Sequence, residues 1–212
     1  HTRCSRDWSS DVCSSDLPVT PAATAAPPTA VAAARGDGRV TLSWKASATD
    51  GGSAIVEYVV ESSRDGGKTW QAAARVAATS VSVEGLVNGT SYVFRIATVN
   101  GVGTSAWSAR SAAVVPATVP SAPLGLAIAG GGPVVTLTWT APSATGGRPI
   151  VNYRVQWSVD GGASWKTLVR APSTALRATL RGLPTGTPLA FRVAAQNAVG
   201  LGSSAEATIA PN

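Results

Sequence analysis

From Val40 to Trp44 the chain alternates, with Val40, Leu42 and Trp44 apolar and Thr41 and Ser43 polar. Val135, Leu137 and Trp139 repeat that alternation around Thr136 and Thr138. Tyr58 and Val60 alternate with Glu57, Val59 and Glu61, and Tyr92, Phe94 and Ile96 with Ser91, Val93, Arg95 and Ala97. A period of two with one apolar face predicts strands that pack on a core from one side. Turn signals punctuate them: Asp50-Gly51-Gly52, Asp65-Gly66-Gly67, Asn88-Gly89 and Asn100-Gly101. Short strands with such turns every ~8–12 residues predict an all-β sandwich or barrel. No stretch of helical length carries a 3.6-residue period.

The pattern occurs twice. Trp44, Gly51-Gly52, Ile55, Tyr58 and Trp70 recur as Trp139, Gly146-Gly147, Ile150, Tyr153 and Trp165, at one constant offset of 95. Copy two then gains two residues. After that gain Leu86, Gly89, Phe94, Asn100 and Gly103 recur as Leu183, Gly186, Phe191, Asn197 and Gly200. A repeat of this length is a domain rather than a solenoid unit.

A Trp on the second strand, Gly-Gly before Ile-x-x-Tyr, Leu-x-x-Gly-Thr-x-Tyr-x-Phe and then Asn-x-x-Gly together resemble the fibronectin type III family. Copy one carries this as Trp44, Ile55, Tyr58, Leu86, Gly89, Thr90, Tyr92, Phe94, Asn100 and Gly103. Copy two carries Trp139, Ile150, Tyr153, Leu183, Gly186, Thr187, Phe191, Asn197 and Gly200. The resemblance implies two tandem immunoglobulin-like, seven-stranded Greek-key β-sandwiches without a disulfide. It also implies that the Tyr92 hydroxyl ties back to upstream backbone. Copy two has Leu189 there, after Pro188, so its corner is expected to hold by apolar packing and by the rigidity of Pro184 and Pro188. The expected domains are 28–116 and 123–212, joined by a Pro-containing linker, 117–122, that acts as a semi-rigid spacer. A Pro/Thr/Ala-rich linker, 18–27, is expected to stay extended ahead of the first. Its style resembles linkers of secreted actinobacterial proteins, which implies a bacterial, secreted or cell-surface origin.

Residues 1–17 stand apart. Asp7 to Leu17 match, over eleven residues, the translation of a common sequencing adapter, so this leader is read as an artefact and excluded. Both cysteines, Cys4 and Cys13, and the one histidine, His1, lie inside it. With them go the usual carriers of thiol, general-base and metal chemistry. No apolar run reaches the ~18 residues of a transmembrane helix.

Glu57 and Glu61 share a strand face at a spacing of roughly 13 Å, too wide for a glycosidase pair. No catalytic residue, metal ligand or cofactor is expected, and the chain is read as non-enzymatic. Arg35-Gly36-Asp37 falls between the first two strands and reads as a turn. Ser63-x-Asp65-x-Gly67-x-Thr69-Trp70 and Ser158-x-Asp160-x-Gly162-x-Ser164-Trp165 resemble structural Asp-box hairpins, with Asp capping the turn and Trp packed on it. Asn88-Gly89-Thr90 is a glycosylation sequon only in a eukaryotic secretory host.

The tentative ligand contacts are Trp107, Trp157, Arg95, Arg154 and Arg192. Trp107 opens the last strand, where it can stack on Arg95, and Trp157 stands where copy one has Ser62. An exposed Trp in a row with Arg would serve as a sugar platform. The whole chain carries a net charge of +6, and copy two carries the basic excess. Arg154 and Arg192 should face out from one sheet and Arg177 and Arg181 from the other, which makes no groove for nucleic acid. The reading is a monomeric extracellular spacer or interaction module whose partners are other domains of its parent chain. The alternative is an adhesion module for a polysaccharide or a cell-surface protein.

Overall fold

The computed structural model describes residues 21–211. The adapter-like leader and residues 18–20 of the first linker lie outside the described residues. Module one contains β1 (Thr29–Arg35), β2 (Val40–Lys45), β3 (Ile55–Ser63), β4 (Gln71–Val76), β5 (Ser80–Val83) and β6 (Val93–Asn100). Module two contains β7 (Leu124–Gly131), β8 (Val134–Thr140), β9 (Ile150–Ser158), β10 (Lys166–Thr167), β11 (Arg177–Arg181), β12 (Leu189–Asn197) and β13 (Leu201–Ile209). In module one the sheets run β1-β2-β5 and β4-β3-β6; in module two they run β7-β8-β11 and β10-β9-β12-β13. Every ladder is antiparallel.

The alternating residues fill the cores. Val40, Leu42, Trp44, Tyr58, Val60, Phe94 and Ile96 are buried in module one, and Val135, Leu137, Trp139, Tyr153, Val155, Phe191 and Val193 in module two. Trp44 meets Tyr58 edge-on with centroids 5.4 Å apart, and Trp139 meets Tyr153 at 5.5 Å. The first is an edge-to-face contact and the second a tilted one, and the edge-to-face arrangement is a favourable aromatic geometry. Both indole N–H groups are buried without a hydrogen-bond partner.

The first strand of each module carries a bulge, between Thr29 and Ala32 in β1 and between Leu124 and Ala127 in β7. Within it φ is 53° at Ala30 and 60° at Gly125. The left-handed conformation costs an L-residue about 1–2 kcal/mol, which glycine avoids at the expense of chain entropy. Ala30→Gly is therefore expected to stabilise module one by about 0.5–1 kcal/mol in chemical denaturation.

The last position of module one is not a regular strand. Ser105, Ser108 and Ser111 donate their N–H groups to the carbonyls of Thr98, Ile96 and Phe94, at 2.8–2.9 Å. The N–H groups of Thr98, Ile96 and Phe94 donate in return to the three serine hydroxyls, at 2.9, 3.1 and 3.0 Å. Each hydroxyl donates onward to the next residue's carbonyl. Three residues of this segment thus face two of β6, and regular pairing is replaced by alternate backbone and hydroxyl bonds. Module two spends fewer residues here and forms β13, an ordinary ladder partner of β12.

The two corners differ by a matched pair of changes. The Tyr92 hydroxyl accepts the Val87 N–H at 3.0 Å, and Tyr92 is wholly buried. Module two has Pro184 in place of Val87 and Leu189 in place of Tyr92. Proline has no N–H to satisfy, so losing the hydroxyl leaves no orphan donor. Tyr92→Phe is accordingly expected to cost about 1–3 kcal/mol, because it strands the Val87 N–H. Adding Val87→Pro should recover part of that loss, read from urea midpoints at constant m-value.

Candidate functional site

Two surfaces carry the polar side chains that the scaffold positions: the outer face of β4-β3-β6 and the end-to-end joint between the modules. On the outer face the serine-paired segment places Trp107 above β6. The Arg95 guanidinium lies 4.3 Å from the Trp70 ring centroid and 4.3 Å from that of Trp107, between the two. Its Nε and Nη2 donate to Glu61 Oε2 at 2.8 and 2.6 Å. Arg110 donates to the Gly66 carbonyl, tying the segment to the β3–β4 hairpin. Glu57 is engaged as well, by Arg75 at 2.5 Å. Both faces and one edge of Arg95 are therefore used within the module.

The hairpin at the end of this face is built by one carboxylate. Asp65 accepts from the Ser63 and Thr69 hydroxyls and from the Lys68 and Thr69 N–H groups. The Ser63 hydroxyl accepts from the N–H groups of Asp65 and Gly67. Asp160 does the same with Ser158 and Ser164 in module two. A Cβ on Gly67 or Gly162 would lie 3.1 or 3.2 Å from the ring of Trp70 or Trp165, so glycine lets the indole lie on the turn.

Those bonds, from Ser63 and Thr69 or from Ser158 and Ser164, hold both carboxyls well below the usual carboxylate range. A depressed folded-state pKa stabilises the fold fully above the unfolded value of about 3.9 and is lost as pH falls through the folded value. Stability is expected to decline below about pH 4. Asp65→Asn should flatten that decline for module one in acid titrations followed by tryptophan fluorescence. Elsewhere burial pushes the Tyr153 hydroxyl up and the Arg170 guanidinium down, the latter while it donates to the Tyr153 carbonyl at 3.0 Å.

In module two Arg192 stacks on Trp165 at 4.2 Å and donates to Gln156 Oε1 at 2.8 Å. Trp157 does not stand as an open platform. Alternation from Tyr153 and Val155 turns it inward, where it packs on the core, and Lys166 caps its ring at 4.9 Å. Arg154 is exposed on the same sheet, as are Arg177 and Arg181 on the other.

The joint is made by backbone and by one asparagine side chain. Ala117 N–H donates to the Gly36 carbonyl of module one at 3.1 Å, and Thr118 N–H to the Gly146 carbonyl of module two at 2.9 Å. Asn197 Nδ2 donates to both the Thr118 and Thr145 carbonyls at 2.8 Å. Its Oδ1 accepts the Val199 and Gly200 N–H groups. The Asn88-Gly89 turn of module one then meets Gly147 of module two. A Cβ built on Gly147 would fall 2.3 Å from the Gly89 nitrogen, so no side chain fits there without moving backbone.

The fibronectin type III domain model matches residues 26–114 and 121–210. The chain belongs to the fibronectin type III family. It is similar to Drosophila melanogaster titin, at 33% identity over 80% of this chain and 1% of that protein. It is 29% identical to human cardiac-type myosin-binding protein C over 82% of this chain and 14% of that protein. The chain thus spans a small part of the relatives it matches. Among solved structures, the chicken CNTN1 FN1–FN3 domains align at 25% identity and a TM-score of 0.46, covering 87% of this chain and 66% of that one.

Fibronectin type III domains of this kind are non-catalytic modules of interaction or spacing. Among the described residues, no three acidic, His or Cys side chains gather into a metal-binding group, and no helix is long and apolar enough to cross a membrane. Of the five tentative contacts, the fibronectin type III scaffold brings together only Arg95 and Trp107, and it adds Trp70 and Glu61 to them. Arg192 belongs to the equivalent stack of the second domain, Trp157 to its core edge and Arg154 to an exposed strand position. Arg35-Gly36-Asp37 is drawn into the joint: Asp37 accepts from Asn88 Nδ2 at 2.8 Å, and Gly36 receives the linker. Asn88 Oδ1 accepts the Gly38 N–H, so the sequon asparagine is a structural tie between two turns.

The described part of the first linker, residues 21–27, docks on module one, a contact its composition did not announce. Ala25 is 4% exposed, and Ala23 and Ala26 donate to the Gly51 and Thr49 carbonyls. Its backbone supplies the hydrogen bonds, and the Ala25 methyl is buried with them. The asparagine that receives it, Asn100, is legible in the sequence as a turn and family-motif residue but not as a clamp on the linker.

Proposed function

We propose that this chain is a non-catalytic extracellular spacer and interaction module within a larger protein, holding neighbouring parts of that chain at set distance and angle. The observation that carries the reading is the bonded linker: Thr118 is fastened to module two through both its N–H and its carbonyl, while Ala117 is fastened to module one. A connector with those bonds transmits orientation as well as reach, unlike a flexible Gly/Ser coil.

A monomer suffices for this role, with other domains of the parent chain as its partners. A secreted or cell-surface setting, and a bacterial parent that acts on polysaccharide, rest on the Pro/Thr/Ala-rich composition of residues 18–28 alone. Small-angle X-ray scattering tests the spacer reading. One chain mass and one sharply defined elongated particle are expected, and inserting Gly-Ser after Thr118 should broaden the distance distribution. A profile that needs an ensemble of module orientations before any insertion would refute it. For the alternative, binding of a polysaccharide or surface protein, a glycan pull-down that depends on Trp107 is the corresponding test.

A further inference from the structure

The front of module one repeats the main-chain and asparagine hydrogen bonds of the front of module two. Ala23 N–H donates to the Gly51 carbonyl at 2.8 Å, as Thr118 does to Gly146 at 2.9 Å. Asn100 Nδ2 donates to the Ala23 and Asp50 carbonyls at 2.8 and 2.7 Å, as Asn197 does to Thr118 and Thr145. Ala26 N–H meets the Thr49 carbonyl as Ser121 meets that of Ala144. A Cβ on Gly51 would strike the Ala23 carbonyl at 2.2 Å, and one on Gly146 the Thr118 carbonyl at 2.1 Å. Module two uses this arrangement to hold a linker in register, so that the glycine turn of the preceding module seats on Gly147. Module one has Gly52 at the equivalent place, and among the described residues a Cβ there would approach only Ala22 Cα, at 3.8 Å. The sequence keeps the same phase. Pro21, Pro116 and Pro211 stand 95 residues apart, the first two immediately ahead of docked linker residues.

We infer that the front of module one, formed by Gly51, Gly52, Asn100 and the docked residues 22–26, is a socket for the Asn-Gly turn of another fibronectin type III module ahead of it in the same polypeptide. This rests on the spacer reading and names the kind of partner. The occupant's chemistry follows from the occupied joint. It offers a turn with glycine at its tip, because any Cβ between the two backbones would clash, and it ends in Pro-Ala two residues before the docked carbonyl. No charged or aromatic side chain is needed, so a ligand of another class would find little to recognise.

The test is a three-module chain in which residues 22–116 precede the full chain from Ala22 onward, joining Pro116 to Ala22 with the native spacing. With isotope label in the added copy, nuclear Overhauser contacts are expected between its Gly89 N–H and Gly52 of the next module. The existing Gly89–Gly147 contact, read in a second sample labelled in the original module one, serves as the standard. Scattering should show the particle lengthening by one further module increment. Gly52→Val of the second module should abolish the new contact, and Gly-Ser inserted between Pro116 and Ala22 should abolish it while leaving both folds intact, so the test stands even where the valine variant fails to fold. An added copy that tumbles independently while the Gly89–Gly147 joint stays rigid overturns the socket and leaves the spacer reading standing. If both joints are loose, the spacer reading fails with it.

Discussion

Asn197→Asp is expected to free the two modules from one another without unfolding either. The substitution keeps the Oδ1 that accepts from Val199 and Gly200. It replaces the Nδ2 that donates to Thr118 and Thr145 with an oxygen facing two carbonyls. Repulsion there should release the linker, with a loss of about 2–4 kcal/mol from module two for the stranded acceptors. Asn197→Ala should cost a similar amount and loosen the loop as well. Asn100→Asp provides the contrast, since it touches the front of module one and should leave the joint unchanged. Interdomain angle, followed by paramagnetic relaxation from a tag on one module, separates the three variants. Unchanged relaxation in Asn197→Asp would show that the linker bonds do not set the angle.

The second large effect lies in the cores. Phe94 is fully buried in module one, and Phe191 fully buried in module two. Phe→Ala at a core site costs about 3–5 kcal/mol, a large share of the ~5–15 kcal/mol by which a domain is stable. Calorimetry of Phe94→Ala is expected to show an early transition for module one and a nearly unshifted one for module two. Phe191→Ala should reverse the order. Parallel collapse of both transitions in either variant would mean that the modules unfold as one unit, each unable to stand without the other.

Much of this architecture is legible in the chain before any coordinates. Alternation fixes which faces of β2, β3, β6 and their counterparts are buried, because a half-buried strand writes its environment into every second residue. Tyr92 and the constant offset between Trp44 and Trp139 identify the sandwich and its duplication. The stack of Trp107 on Arg95 was visible from the strand positions, whereas Trp70 as its other wall was not, since it arrives from a hairpin whose reach sequence spacing does not encode. Trp157 misleads for a simple reason: its copy-one counterpart, Ser62, is small and says nothing about direction, whereas counting from Tyr153 places it inward.

The joint was the least legible part. Apart from Asn197, its contacts are made by main-chain atoms of Ala117, Thr118, Gly89 and Gly147, and backbone carries no side-chain signature. Two signals did exist. One is the glycine pair at 51–52 and 146–147, more than a turn requires. The other is the return of the repeat to its original phase at Pro116 and Pro211 after the two-residue gain, which module one's longer last segment cancels. Similarly, serine at every third position, Ser105, Ser108 and Ser111, encodes the three-to-two pairing that sets Trp107 outward. A search for period two passes over it.

The central claim is that the two modules form one rigid spacer because their linker is hydrogen-bonded to both. Residual dipolar couplings measured on the backbone amides of both modules in one aligned sample test it most directly. A single alignment tensor fitting residues 29–100 and 124–209 together, with the orientation found here, is the predicted result. Two tensors of different magnitude would mean that the modules reorient independently, and would contradict the account.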